Sequence, residues 1–187
     1  MAAPDDPEDA ASDEALMRAH AGGDPRALAV LFERYFDRLV RVMQRDLAMA
    51  EEARDLVQQT FLQVHRARAD YDPALRFRPW LYTIALNLKR EHLRARGRRP
   101  TVPLESSRAH ERQATEPSPE QADTARAVRD AISSLPPDQR AVIELHWLEE
   151  LSFGEAALCL GITANAAKVR AHRGYERLRT HLKRKGL

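Results

Sequence analysis

Leu151-Ser152-Phe153-Gly154-Glu155-Ala156-Ala157-Leu158-Cys159-Leu160-Gly161-Ile162-Thr163 is the stretch on which the fold turns. Ser152 carries the side-chain oxygen that caps a short helix, and Ala156 is small where two helices must cross. Gly161 permits the turn that follows, because a residue without Cβ enters left-handed backbone at no steric cost. Thr163, with hydrophobic Ile162 just before it, caps a second helix. Cys159 lies on the apolar side beside Ala156 and Leu160, where packing is its expected role. Helix, turn and helix in this order predict a helix-turn-helix, whose second helix lies in the major groove of DNA. Its outward positions are Asn165, Lys168, Arg170, His172 and Arg173, hydrogen-bonders and cations suited to phosphates and base edges. The rival reading is a plain helical hairpin with a solvated basic end, and cap, turn and basic helix together weigh against it.

Around the motif the composition is that of an all-α protein. Of 187 residues 43% are hydrophobic, enough for a core, while aromatics are 6% and glycines 7 in number, too few for a turn-rich β-sandwich or barrel. Alanine, leucine, arginine and glutamate, all strong helix formers, fill about half of the chain. A formal net charge of +2 conceals an uneven distribution. Residues 1–14 hold six acids and no base, residues 89–99 six bases against Glu91, and residues 168–185 eight bases against Glu176. Two separated basic blocks point to two places where a polyanion docks, the bland alternative being solvated helix faces. A single cysteine excludes a disulfide framework and any cysteine-based zinc site. No apolar run reaches the roughly 18 residues a membrane span needs, and the start of the chain is acidic where a signal peptide is basic. A soluble, cytoplasmic protein is expected.

Working towards the N-terminus, Pro136-Pro137 closes one helix and opens the next, in which Val142, Leu145 and Trp147 are expected to face inward. The preceding helix has the apolar stripe Val128, Ile132 and Leu135, behind a capping box at Ser118-Pro119-Glu120-Gln121. Residues 97–117 scatter Pro100, Pro103 and Pro117 among small and polar residues without periodicity, which reads as a linker. Residues 118–187 form a small domain, and residues 1–12 an acidic disordered tail.

Residues 13–96 make a separate helical domain. Asp24-Pro25 reads as a cap followed by proline at the first helical position, and Leu28, Leu31, Phe32, Tyr35, Leu39 and Val42 then recur at spacings of three and four. A further helix from about Glu51 carries Ala53, Leu56, Val57, Thr60, Phe61 and Val64 on one side. Asp72-Pro73 breaks the pattern. The next helix, expected from about Pro79, buries Trp80, Leu81, Ile84 and Leu88 and aligns Thr83, Asn87, Arg90 and Arg94 on its other face. Such a polar and cationic stripe fits a nucleic-acid surface but is weak evidence alone. Catalytic constellations are missing from the sequence: no glycine-rich phosphate loop, no paired-histidine zinc helix and no nucleophile elbow. No enzyme, cofactor or metal is expected.

Asp55-Leu56-Val57-Gln58-Gln59-Thr60-Phe61 followed by Trp80-Leu81-Tyr82-Thr83-Ile84-Ala85-Leu86-Asn87 resembles region two of bacterial extracytoplasmic-function (ECF) sigma factors. Leu135-Pro136-Pro137-Asp138-Gln139-Arg140 with the helix-turn-helix resembles their region four. The resemblance covers nearly the whole chain beyond the acidic tail. It implies that Asp55, Gln58, Gln59 and Phe61 dock on the core polymerase, and that the segment from Tyr71 to Arg76 captures an unstacked base of the minus-ten element. Tyr71 is equally suited to plugging the core, and Trp80 reads as structural. Thr83, Asn87, Arg90 and Arg94 would face the upstream edge of the melted duplex. Thr163, Asn165, Lys168, Arg170, His172 and Arg173 would meet the minus-thirty-five element. The chain departs from the family pattern at Pro73, at Gly154 and at Asn165-Ala166-Ala167. The implied partners are core RNA polymerase, promoter DNA and an anti-sigma factor, with no membrane insertion. Two rivals are a regulator whose first domain only dimerises or senses a ligand, and a sigma mimic that titrates an anti-sigma factor. A basic face on the first domain argues against the former, and the cations of the last helix against the latter.

Overall fold

Asp13, Pro25, Ala50 and Phe77 open the four helices of the first unit in the computed structural model of this protein, which describes residues 11–47, 49–97 and 119–185. These are α1 (Asp13–Ala21), α2 (Pro25–Gln44), α3 (Ala50–Arg66) and α4 (Phe77–Gly97). The chain divides into two compact units, Met1–Ser107 and Arg108–Leu187. Every regular element among the described residues is an α-helix. The acidic first ten residues, the expected linker beyond Gly97 and the expected cap at Ser118 lie outside the described residues.

Local chemistry sets the helix starts. The Ser12 hydroxyl accepts the Ala15 N–H at 3.1 Å, and the Asp24 carboxylate accepts the Arg26 N–H at 2.9 Å with Pro25 at the first helical position. Gly23 turns the chain between α1 and α2 with φ +102°, a conformation other residues avoid. On α3 the buried residues are the predicted six, Ala53, Leu56, Val57, Thr60, Phe61 and Val64. The Thr60 hydroxyl escapes an unsatisfied burial by donating to the Leu56 carbonyl at 2.7 Å.

The seam of α4 differs from its expected position. The helix starts at Phe77, two residues earlier than predicted, and buries Phe77, Leu81, Tyr82, Ala85, Leu86 and Lys89, while Trp80, Ile84 and Leu88 are only half-buried. The cause is Lys89. Its ammonium donates to the Val42 carbonyl at 2.9 Å and pairs with Asp46, so a cation can occupy the middle of the buried face. Hydropathy alone assigns a lysine to water, which rotates the predicted seam away from the real one.

The second unit comprises α5 (Pro119–Ser133), α6 (Pro137–Trp147), α7 (Phe153–Leu160) and α8 (Ala164–Arg184). Val142 of α6, Ala157 of α7, and Ala167 and Ala171 of α8 form its centre, with Phe153, Leu160, Ile162 and Tyr175 packed around them. Small residues let α6 and α8 approach closely. Full burial of Val142 alone stabilises the unit by roughly 1.5–3 kcal/mol. Two expectations fail here. Trp147 is 66% exposed, because it ends α6 and lies across the surface with its indole N–H donating to the Tyr175 hydroxyl at 2.5 Å; Ile143 is buried in its stead beside Val142 and Leu145. Val128 is exposed too, and α5 turns Ala131 inward ahead of Leu135.

Candidate nucleic-acid interface

The helix-turn-helix is built by its caps. Ser152 and Glu155 form a reciprocal capping box: the serine hydroxyl accepts the Glu155 N–H at 3.2 Å and the glutamate accepts the Ser152 N–H at 2.7 Å. Gly161 takes φ 67°, and the Ile162 N–H reaches back to the Ala157 carbonyl at 3.0 Å, closing the turn. The Thr163 hydroxyl then accepts the Ala166 N–H at 3.1 Å and starts α8. Glu150, with φ 54°, makes the bend leading into α7, which no turn residue in the sequence announces.

Ala167, Ala171 and Gly174 are the buried face of α8, so the opposite face is fixed. Asn165, Lys168, His172 and Arg173 are exposed together on it. Arg170 is not among them: it sits on the flank, half-buried, with its Nε 3.5 Å from the Asp138 carboxylate of α6. Val169 is 42% exposed between these side chains. An apolar group there is suited to contact with a thymine methyl. Its position one residue after Lys168 was the available signal.

In the first unit α3 presents Asp55, Gln58 and Gln59 to solvent on one face. Phe61 points the other way, buried edge-on against Phe32 with ring centroids 4.9 Å apart. The outward apolar residue of that face is Leu62, 47% exposed, one turn beyond Gln58 and Gln59. The spacing 55, 58, 59, 62 is a helical stripe and could have been read from the sequence.

The segment between α3 and α4 is a tight loop held from within. Tyr71 is 6% exposed, its hydroxyl donates to the Leu75 carbonyl at 2.7 Å, and its ring packs on Trp80 and Phe77. The Tyr71 phenol is pushed up to about 12, first by burial and next by the Glu14 charge. Of the two readings open for Tyr71, its side chain occupies the core plug. Asp72 turns the loop by accepting the Ala74 N–H at 2.9 Å, and Leu75 and Arg76 are exposed at its end. On α4, Asn87 and Arg94 are exposed and Thr83 and Arg90 half-buried, all within about 60° of one another at 3.6 residues per turn. Thr83 uses its hydroxyl on the Pro79 carbonyl at 2.8 Å. Two cations of the first basic block turn away from solvent: Lys89 into the core, and Arg96 onto Glu52 at 2.7 Å. The basic surface of the block is therefore narrower than its sequence suggests. Among the described residues no cluster of three or more histidine, cysteine or acidic side chains is arranged to hold a metal. No described helix is long and apolar enough to cross a membrane.

Comparison with known proteins matches the two units separately. Residues 31–99 match the family Sigma-70 region 2, and residues 125–178 match Sigma-70, region 4. The RNA polymerase sigma factor CarQ of Myxococcus xanthus is 38% identical over 165 residues, which are 87% of this chain and 93% of CarQ. The ECF RNA polymerase sigma factor SigM of Mycobacterium tuberculosis is 32% identical over 168 residues, covering 89% of this chain and 83% of SigM. Among solved structures, CnrH in complex with the cytosolic domain of CnrY superposes with a TM-score of 0.64 at 27% identity, over 91% of this chain and 97% of that one.

Proposed function

The chain belongs to the ECF family of RNA polymerase sigma factors, and on that footing we propose how its two units divide the work of a factor that binds core RNA polymerase, recognises promoter DNA and promotes transcription initiation. Residues 13–96 act as region two and residues 118–187 as region four, joined by the linker 97–117. The observation that carries this division is a pair of surfaces of different chemistry: a capped recognition helix in one unit, and a loop beside a cationic helix face in the other.

Asn165, Lys168, Val169, His172 and Arg173 read the minus-thirty-five duplex, with Thr163 at the helix start close to the backbone. Arg170 contributes from the flank, where its pairing with Asp138 sets its direction. The exposed end of the 71–76 loop, with Arg76, meets the minus-ten strand, and Tyr71 shapes the loop from behind. Asn87, Arg90, Arg94 and Thr83 follow the upstream edge of the melted region. Asp55, Gln58, Gln59 and Leu62 form the polymerase-facing patch, backed by Phe61. No chemistry is catalysed. Opening is driven by binding, since holding unstacked bases offsets a cost of a few kcal/mol per base. The factor works in the cytoplasm with the polymerase. Its third partner is an anti-sigma factor, in keeping with the protein-bound form in which CnrH was solved.

Run-off transcription with core polymerase on a promoter library tests the reading. Transcripts that depend on this chain and start downstream of a shared two-element sequence are expected. Core binding without promoter-dependent initiation would favour the sigma-mimic alternative.

A further inference from the structure

The start of α4 is held from a distant part of the chain. The Phe77 N–H, which has no partner within its own helix, donates to the Glu14 carboxylate at 3.0 Å, across 63 residues of sequence. Asp13, the preceding residue, holds two groups directly and a third through one of them. Its carboxylate takes Arg34 at 2.5 Å and the Tyr35 hydroxyl, and Tyr35 in turn accepts the Arg78 Nε–H at 3.2 Å. Tyr35 is fully buried, with its phenol pushed up to about 12 by burial and then by the Asp13 hydrogen bond, so it stays a neutral donor to that carboxylate. Both acids sit in the first turn of α1, whose geometry the Ser12 cap fixes.

Phe77 and Arg78 follow the 71–76 loop directly. The acids of α1 therefore set where the loop ends, while Tyr71 and Asp72 set its interior. Arg76 and Arg78 line one open cavity of about 460 Å³ with Arg34, Asp13 and Glu14. Of these cations Arg34 is paired directly with Asp13, and Arg78 is tied to the same carboxylate through the Tyr35 hydroxyl, beside the loop.

We propose that Asp13 and Glu14 are positioning residues for promoter opening: they hold the α4 start, and with it the 71–76 loop, in the geometry that captures an unpaired base, without themselves touching DNA. The inference rests on the reading of that loop as the capturing segment. A charge-assisted hydrogen bond to a helix N-terminus is strong, and a capturing site is sensitive to displacements of about 0.5 Å. Water can satisfy the Phe77 N–H if Glu14 is removed, so the fold survives while the fixed direction is lost.

The test uses holoenzyme reconstituted from core polymerase and the full chain carrying Glu14→Ala, Glu14→Gln or Asp13→Asn, with Arg76→Ala as reference. Permanganate reactivity of thymines reports opening on a fully paired promoter, and a fluorescence titration reports core affinity. Glu14→Ala should reduce opening roughly tenfold, the worth of one charge-assisted hydrogen bond, with core affinity unchanged. Glu14→Gln, whose amide oxygen still accepts the Phe77 N–H, should recover most of it. Asp13→Asn should show an intermediate loss. A pre-melted promoter should lessen the defect. Equal opening by Glu14→Ala and the parent, or a parallel loss of core affinity, overturns the proposal. If Arg76→Ala also opens normally, the loop reading itself has failed; if Arg76→Ala alone is defective, only the role of α1 has.

Discussion

Gly174 lies where α8 crosses α6, and replacing it with alanine sets two opposed effects against each other. A Cβ built at this position stands 2.4 Å from Cδ1 of Ile143, and 3.5 Å from Cγ1 of the same side chain and from Cβ of Gln139. Carbon atoms in contact prefer about 3.5–4.0 Å, so the Ile143 methyl must retreat by more than an ångström. Ile143 is 3% exposed, so the displaced methyl must be taken up inside the unit rather than by moving into water. Overpacking of this kind costs about 1–3 kcal/mol, whereas alanine in a helix interior gains about 0.5–1 kcal/mol over glycine. A net destabilisation of about 1–2 kcal/mol is expected for Gly174→Ala. The clash involves one atom, which makes it separable. Ile143→Val removes Cδ1 at a cost of about 0.5–1.5 kcal/mol, and in that background Gly174→Ala should stabilise by up to about 1 kcal/mol. Hydrogen exchange read by mass spectrometry on the α6 and α8 amides of the intact chain measures all four proteins of the cycle. Equal destabilisation by Gly174→Ala in both backgrounds would refute the steric argument.

Gln59→Ala on the exposed face of α3 should weaken core binding without changing helicity, and unchanged affinity in a fluorescence titration would remove that face from the polymerase contact. Arg173→Ala should weaken binding to the upstream duplex, by about 1–3 kcal/mol at one position for a base contact or evenly across sequences for a phosphate contact. Arg76→Ala should spare duplex binding and block opening, and a pre-melted promoter should rescue it but not Arg173→Ala; equal rescue of both would sink the division of roles. Lys89→Met keeps the volume of the buried chain but leaves the Val42 carbonyl and Asp46 without their ammonium partner, and should cost about 1–3 kcal/mol, while Lys89→Ala, which also opens a cavity, should cost more, about 3–5 kcal/mol in urea denaturation. His20 is buried on α1 with its Nε2 3.2 Å from the His65 ring, and its pKa lies below 6.5 chiefly through burial, with the His65 charge adding to the shift and Asp24 opposing it. A base whose folded pKa is lowered binds more protons when unfolded, so this stability is present above pH 6.5 and is lost as the pH falls below it. Protection of the α1 amides should decline over that range, and His20→Gln should flatten the decline.

Local chemistry was legible wherever neighbours along the chain decide the outcome. Ser152, Gly161 and Thr163 announced the helix-turn-helix because a cap or a left-handed turn is satisfied within three to five residues. The six-residue buried stripe of α3 was legible for a similar reason, helical periodicity being a property of the segment itself. The domain pairing came from the resemblance of two separated motifs to one family, and both regions are matched. Tertiary structure alone decided which polar groups find distant partners. Lys89 reads as part of a basic block, yet Val42 near the end of α2 and Asp46 just beyond it draw it inward and rotate the seam of α4. Arg170 reads as an outward cation, yet Asp138 holds it on the flank. Trp147 reads as core, yet Tyr175 gives its indole a partner at the surface. Glu14 reads as one acid in an acidic stretch, and only the fold brings it to the first amide of α4. Hydropathy assigns each side chain to oil or water, but a buried charge or an exposed ring is set by whether a partner waits where the side chain arrives, and that position is a property of the folded chain.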